Sequence, residues 1–412
     1  MTAAYRTSAA VRQPAPGVAG VSAAAVALGV FAAVRAGGAL VLCAAAWWAG
    51  RSPLRVLGAS WDSAWYLGIA RHGYGRTQMW PGTGLVQSDH AFFPLYPALV
   101  RLAGGGEWAA LLVAWTAAAV AAVGVYRVGE LVAGRRTGVL LVALWAVLPH
   151  AVVLSLAYTE ALLAALAAWS LYALLRGRWL GAAGLAALAG LTRPTGVAVA
   201  AAVSVAALHA VLVRRSRAPE VWAAGLLAPA GWLAYVAAVG VDRGDPAGYF
   251  AVQRDWGSRF DFGRATLDTL WRVLTGGPVA LATTVTAVLL GAALLSAGLL
   301  LADRARASDR LAADRPEADR ARPGPALPRS LPLPLPLPLL VYTAVLLVIA
   351  VGGAGYFESK PRFLLPAFPL LLPLAAAMAR ARPRSAVLVT AGLAGLSYGY
   401  GVYLLVIARM PP

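Results

Sequence analysis

Residues 279–301 read VALATTVTAVLLGAALLSAGLLL, twenty-three positions without one charged side chain. A helix needs about 20 such residues to cross the hydrocarbon core of a bilayer. No water is present there to bond the backbone, so each N–H and C=O must be satisfied within the segment, and the run has to be helical. Working outward, comparable apolar runs cover Thr137–Ala157, Leu339–Val351 and Ala386–Ile407. Of the 412 residues 60% are hydrophobic and only 13% charged, roughly half the charged share of an ordinary soluble domain. The sequence therefore predicts an all-α polytopic membrane protein and not a soluble enzyme.

About eleven spans are expected, at 21–48, 108–126, 137–157, 161–175, 179–191, 197–213, 220–241, 279–302, 331–351, 363–379 and 385–407. The fourth to sixth are short, so one of them reads as a broken helix. Ala91–Ala103 is too short and too proline-rich to span alone, and reads as re-entrant, which needs protein around its backbone. Residues 1–20 read as a disordered arm ahead of a signal anchor. Residues 21–302 then form a transmembrane catalytic domain with large loops at 51–107 and 242–278. Residues 303–330 mix Arg with Asp, Glu and Pro and read as a flexible cytoplasmic linker. The helices of 331–412 complete the same domain, after a Leu-Pro repeat over Leu331–Leu339 that is expected to run extended.

The net charge of +18 invites a nucleic-acid reading, which the pattern rejects. Lys360 is the one Lys, Asn is absent, and the Arg residues form short clusters between apolar runs rather than one patch. Placing the N-terminus inside puts twenty of the 35 basic residues on the cytoplasmic side, and ten of the others fall in the two long loops, which count less. Arg35 lies within the first span, where it either snorkels or faces the bundle. A lone cysteine, Cys43, excludes an intrachain disulfide or a cysteine-based metal site.

Chemistry-bearing residues gather in loops on the predicted external side. In loop 51–107, Trp61, Trp65 and Ile69 recur every four residues, which predicts a short interfacial helix sharing one apolar face. Asp62 at its start either caps the helix or serves as a general base, and the two roles are compatible. His72, Asp89 and His90 lie in the same loop. They read as groups orienting a sugar or phosphate, or as solvated loop residues; their spacing is not that of a known metal site. Loop 352–362 holds Lys360 and Arg362 at the start of a helix, where two cations oppose the dipole. A bound anion would resolve that conflict, as would pairing with Glu358 or lipid headgroups. Glu160, after Thr159, suits a helix N-terminus. Arg193 sits between two short spans, where it is either functional or snorkelling.

Trp61–Tyr74 and His90–Pro97 resemble the PIG-V family, the GPI mannosyltransferase 2 family and its bacterial relatives. The resemblance rests on Trp61-Asp62, His72-Gly73-Tyr74 and Phe92-Phe93-Pro94-Leu95-Tyr96-Pro97, and extends to the late Arg362-Phe363-Leu364-Leu365-Pro366. Tyr158-Thr159-Glu160 and Thr192-Arg193-Pro194-Thr195-Gly196 occupy the places of further family motifs, the latter departing from the commoner Arg-Ser-Asn-Gly form. The resemblance implies a GT-C-like glycosyltransferase in the bacterial plasma membrane, with its active site on the extracytoplasmic face. It implies mannose transfer from a polyprenyl-phosphate donor to a glycolipid or envelope glycan acceptor. Asp62 maps to the catalytic carboxylate. Arg362, with Lys360 and Arg193, is expected at the donor phosphate. Trp61, Tyr66, His72, Asp89, His90 and Glu160 are expected to contact substrate. No nucleotide-binding glycine loop is present, no cofactor or metal is expected, and the partners are lipids and glycans. Transfer of another sugar, transfer to protein, and lipid or sugar transport are the competing readings.

Overall fold

The computed structural model describes residues 18–79, 84–313 and 335–412. It is 77% helical with almost no sheet, a polytopic all-α architecture of the GT-C kind. Among the described residues six helices are long and apolar enough to cross a membrane, and the number rises to eight when each of two sharply bent helix pairs is taken as one span. The remaining apolar helices, Glu160–Leu175, Trp179–Gly190 and Leu337–Gly352, are shorter. Each expected span thus meets an apolar helix or a bent pair. The break falls in 137–157 and 363–379, however, and not in the short helices.

The bends have identifiable causes. Arg135–Ala146 and Pro149–Ser155 meet at 86°, and Phe357–Leu364 meets Phe368–Arg380 at 83°. In the second pair Pro369 lacks the N–H that would reach back to the carbonyl of Leu365. Trp145 supplies it instead, its Nε1 donating to Leu365 O at 2.9 Å, while Tyr342 donates to Pro366 O at 2.9 Å. Broken backbone is thus tolerated because side chains of neighbouring helices satisfy it.

Small residues allow the helices to approach closely, as lipid-embedded packing requires. Helix Glu107–Ala133 packs on Glu160–Leu175 and Arg135–Ala146. A Cβ added at Gly129 would come within 2.9 Å of the Gly138 Cα. Arg35 faces the bundle rather than the lipid, donating to Ser155 Oγ at 2.8 Å and Ala146 O at 3.1 Å. It ties the first helix, Val18–Trp48, to the bent pair.

The loops carry most of the detail around the site. Loop 51–107 contains helix Asp62–His72, a two-strand ribbon of Thr77–Met79 and Val86–Ser88, and helix Leu95–Leu102. The segment read as re-entrant is therefore a 3-10 turn, Asp89–Ala91, followed by this eight-residue helix, held by Leu95 N–H to Leu191 O at 3.0 Å. In loop 242–278, Arg259–Phe260 pairs antiparallel with Gly353–Ala354. Helix Leu281–Ala313 runs past residue 302, so the first part of the expected linker is helical; its remainder, nearly all of the expected N-terminal arm and residues 331–334 of the Leu-Pro repeat lie outside the described residues. The end of that repeat, expected to be extended, is helical from Leu337, with Pro338 in the first turn where a missing N–H costs nothing.

Candidate active site

Asp62 is the first residue of its helix, after Trp61 in a conformation, φ 55° and ψ −122°, that a side chain other than glycine's resists. Trp61 thereby leaves the expected Trp61–Trp65–Ile69 face: Trp65 and Ile69 are buried, while Trp61 is 41% exposed. No side-chain hydrogen bond caps this helix. The Asp62 carboxylate instead meets Arg362, Oδ2 to Nη2, at 2.8 Å. One ion pair joins loops 51–107 and 352–362 across 300 positions of sequence.

Arg362 extends the cluster inward. Its Nε lies 3.2 Å from Glu160 Oε1, and Arg193 Nη1 closes on the same oxygen. Two guanidinium groups and two carboxylates are therefore gathered in a site where Glu160, Arg193 and Arg362 are all buried. Rings clamp the cations. Arg362 lies 5.3 Å from both the Tyr158 and Phe363 ring centres, and Arg193 lies 5.6 Å from Phe363. Even so, Arg362 Nη1 and Arg193 Nε are buried and make no hydrogen bond. A buried donor without an acceptor costs about 1–3 kcal/mol, and more when charged. An anion such as a phosphate oxygen would remove that cost.

Tyr66 completes the floor, bonding Thr159 Oγ1 at 3.1 Å. Thr159 thus spends its hydroxyl on Tyr66 and does not cap the helix that Glu160 begins. Burial, reinforced by the nearby Asp62 charge, pushes the Tyr66 phenol above its ordinary range, so it stays protonated at neutral pH. Around it Trp65, Phe92 and Trp256 pack within 5.2–5.7 Å of one another, and Arg76 lies 4.7 Å over Trp65.

The other expected site residues lie elsewhere. Lys360 is buried with its ammonium on Ala350 O at 2.6 Å and on Gly353 O, capping the end of helix Leu337–Gly352. This engages the dipole of the preceding helix, which stabilises the cation there. Asp89 is buried and accepts the N–H groups of Gly75 and Arg76 at 2.8–3.2 Å, fixing the turn that follows helix Asp62–His72. His90 bonds Ser88 Oγ at 3.0 Å and lies 3.3 Å from Asp242. His72 is exposed at the far end of its helix. Among the described residues no group of three His, Cys, Asp or Glu side chains has the geometry to hold a metal ion.

Sequence reasoning missed Tyr158, Phe363 and Trp256 as parts of the site. The first two flank Glu160 and Arg362 in the motifs quoted above, which was the available signal. Trp256, whose Nε1 donates to Ser88 O at 2.9 Å, had none.

The fold and this buried, charged cluster fit a membrane-embedded glycosyltransferase of the GT-C class. Residues 91–236 match the family model described as dolichyl-phosphate-mannose-protein mannosyltransferase, which supports a membrane GT-C mannosyltransferase. The matched segment carries Glu160 and Arg193 but not Asp62 or Arg362. No curated protein and no solved structure gives a significant match.

Proposed function

We propose that this chain transfers mannose from a polyprenyl-phosphate donor to a lipid-linked or envelope glycan on the extracytoplasmic face of a bacterial plasma membrane, as the PIG-V resemblance implies. The observation that carries this reading is the Asp62–Arg362 contact beside two buried guanidinium nitrogens, Arg362 Nη1 and Arg193 Nε, without acceptors. Arg362 and Arg193 take the donor's phosphate oxygens. Asp62 then accepts the proton of the acceptor hydroxyl as that oxygen bonds to the anomeric carbon. The bond from that carbon to the phosphate oxygen breaks on the opposite face, inverting the centre. Polyprenyl phosphate leaves with its charge held by the two arginines. A lipid donor also suits the apolar cleft of ≈ 460 Å³ that opens beside Pro361, the residue before Arg362. His150, Leu289, Ser296, Phe368 and Leu371 line it further.

Asp62→Asn in reconstituted membranes tests the base. Mannose transfer is expected to fall by about 10²–10⁴-fold, while donor binding persists because Arg362 and Arg193 remain. Full activity would sink the assignment. Transfer to protein is the second reading, favoured by the description of the matched family; labelled mannose appearing in protein and not in glycolipid would replace the first. Flux of substrate without a glycosidic product would point to transport instead.

A further inference from the structure

Helix Arg264–Leu274 is built inside out for a surface loop. Its buried residues are Thr266 and Thr269. Thr266 Oγ1 donates to Val351 O at 2.7 Å, and Thr269 bonds its own helix at Ala265 O. The opposite side shows Leu267, Trp271 and Leu274, spaced four and three residues apart and therefore on one face. Trp271 is 68% and Leu274 80% exposed. Just before the helix Phe260 and Phe262 pack edge to face at 5.1 Å, and Phe262, held at φ 59°, is 86% exposed. A backbone conformation that costs about 1–3 kcal/mol thus presents an aromatic ring outward. Asp261, three residues before the helix, accepts the N–H groups of Gly263 and Ala265 at 2.9 Å, so the segment is locally well formed.

The depth of this face is fixed by what it is tied to. Val351 lies in the last turn of the apolar helix Leu337–Gly352, and the spanning helix Leu281–Ala313 begins only a few residues after Leu274. The helix therefore lies where two apolar helices end. At that level the medium is the boundary between headgroups and acyl chains, which favours Trp and an apolar helix face flanked by arginines such as Arg264 and Arg272. We propose that segment 259–274 docks Phe260, Phe262, Leu267, Trp271 and Leu274 into the lipid leaflet on the side of the Asp62 cluster. The same loop reaches the cluster's wall. Its strand pairs with Gly353–Ala354, Trp256 donates to Ser88 O, and Tyr356 donates its hydroxyl to Trp256 O. Lipid contact at one edge of the loop therefore sets the position of Trp256 and Tyr356 at the other.

The single cysteine makes a direct test simple. In a Cys43→Ala background the full chain is placed in phospholipid nanodiscs with a nitroxide attached through Leu274→Cys or, separately, Phe262→Cys. Both sites are exposed, so the label needs no repacking. The expected result is frequent collision with oxygen and rare collision with a water-soluble nickel chelate. The oxygen-to-nickel ratio should stand several-fold above that of a label at the exposed Arg254→Cys in the same loop. Frequent nickel collision at both positions would place the face in water and overturn the proposal. Rare collision with both reagents would also overturn it, showing protein cover by a second copy or a partner.

Discussion

Asp62 and Arg362 carry the proposed chemistry at the scale of single residues, because neither is satisfied by its own segment. Asp62 begins a helix it does not cap, and Arg362 holds donors it does not use. Arg362 also lies between Tyr158 and Phe363, a setting that requires a planar, delocalised cation. Arg362→Lys is therefore not conservative. Measured turnover is expected to fall by about 10²–10³-fold, the cost of losing one positioned donor to a developing anion, while the protein still folds. Turnover within a few-fold of the parent would show that charge alone suffices. Glu160 and Arg193 were legible as charged residues at span ends, yet their pairing was not, since 33 positions of sequence separate them. Lys360 misled for a physical reason. A cation at a helix start signals an anion only when no preceding helix end is near, and here the carbonyls of Ala350 and Gly353 are in reach.

At the scale of elements, the existence and order of the apolar helices were legible, because lipid leaves the backbone no alternative to helix, while their ends ran past the apolar residues, as in Glu107–Ala133 and Leu281–Ala313. The breaks were not legible. Pro149, Pro366 and Pro369 were visible, but a proline bends a helix sharply only where partners such as Trp145 and Tyr342 satisfy the freed carbonyls. Trp61 is the matching case in the first loop. A helical repeat predicted it on the buried face, whereas the chain holds it at φ 55° to start the helix at Asp62. Trp61→Gly removes a conformational cost of about 1–3 kcal/mol, so it is expected to leave the melting temperature unchanged or raised. Trp61→Ile, β-branched and less tolerant of that backbone, is expected to lower it. Thermal unfolding in detergent compares the two, and a lower melting temperature for the glycine variant than for the isoleucine variant would contradict the strain argument.

For the whole molecule, the distribution of arginine predicts which ends of the helices face which compartment. In intact cells of a Cys43→Ala strain, a membrane-impermeant thiol reagent is expected to label Arg71→Cys, in the first loop, and not Arg136→Cys, at the other end of helix Glu107–Ala133. The reverse pattern would place the Asp62 cluster on the cytoplasmic side. The ion pair between Asp62 and Arg362 has one more consequence, in time rather than space. The two residues are 300 positions apart, so at about 5–20 residues per second a ribosome delivers the second roughly 15–60 s after the first. During that interval Glu160 has Arg193 as its only cationic partner in the cluster, and Asp62 has none. The newborn protein therefore inserts most of its helices before its centre of charge is balanced. Synthesis of the last helices is what turns an assembled bundle into a working one.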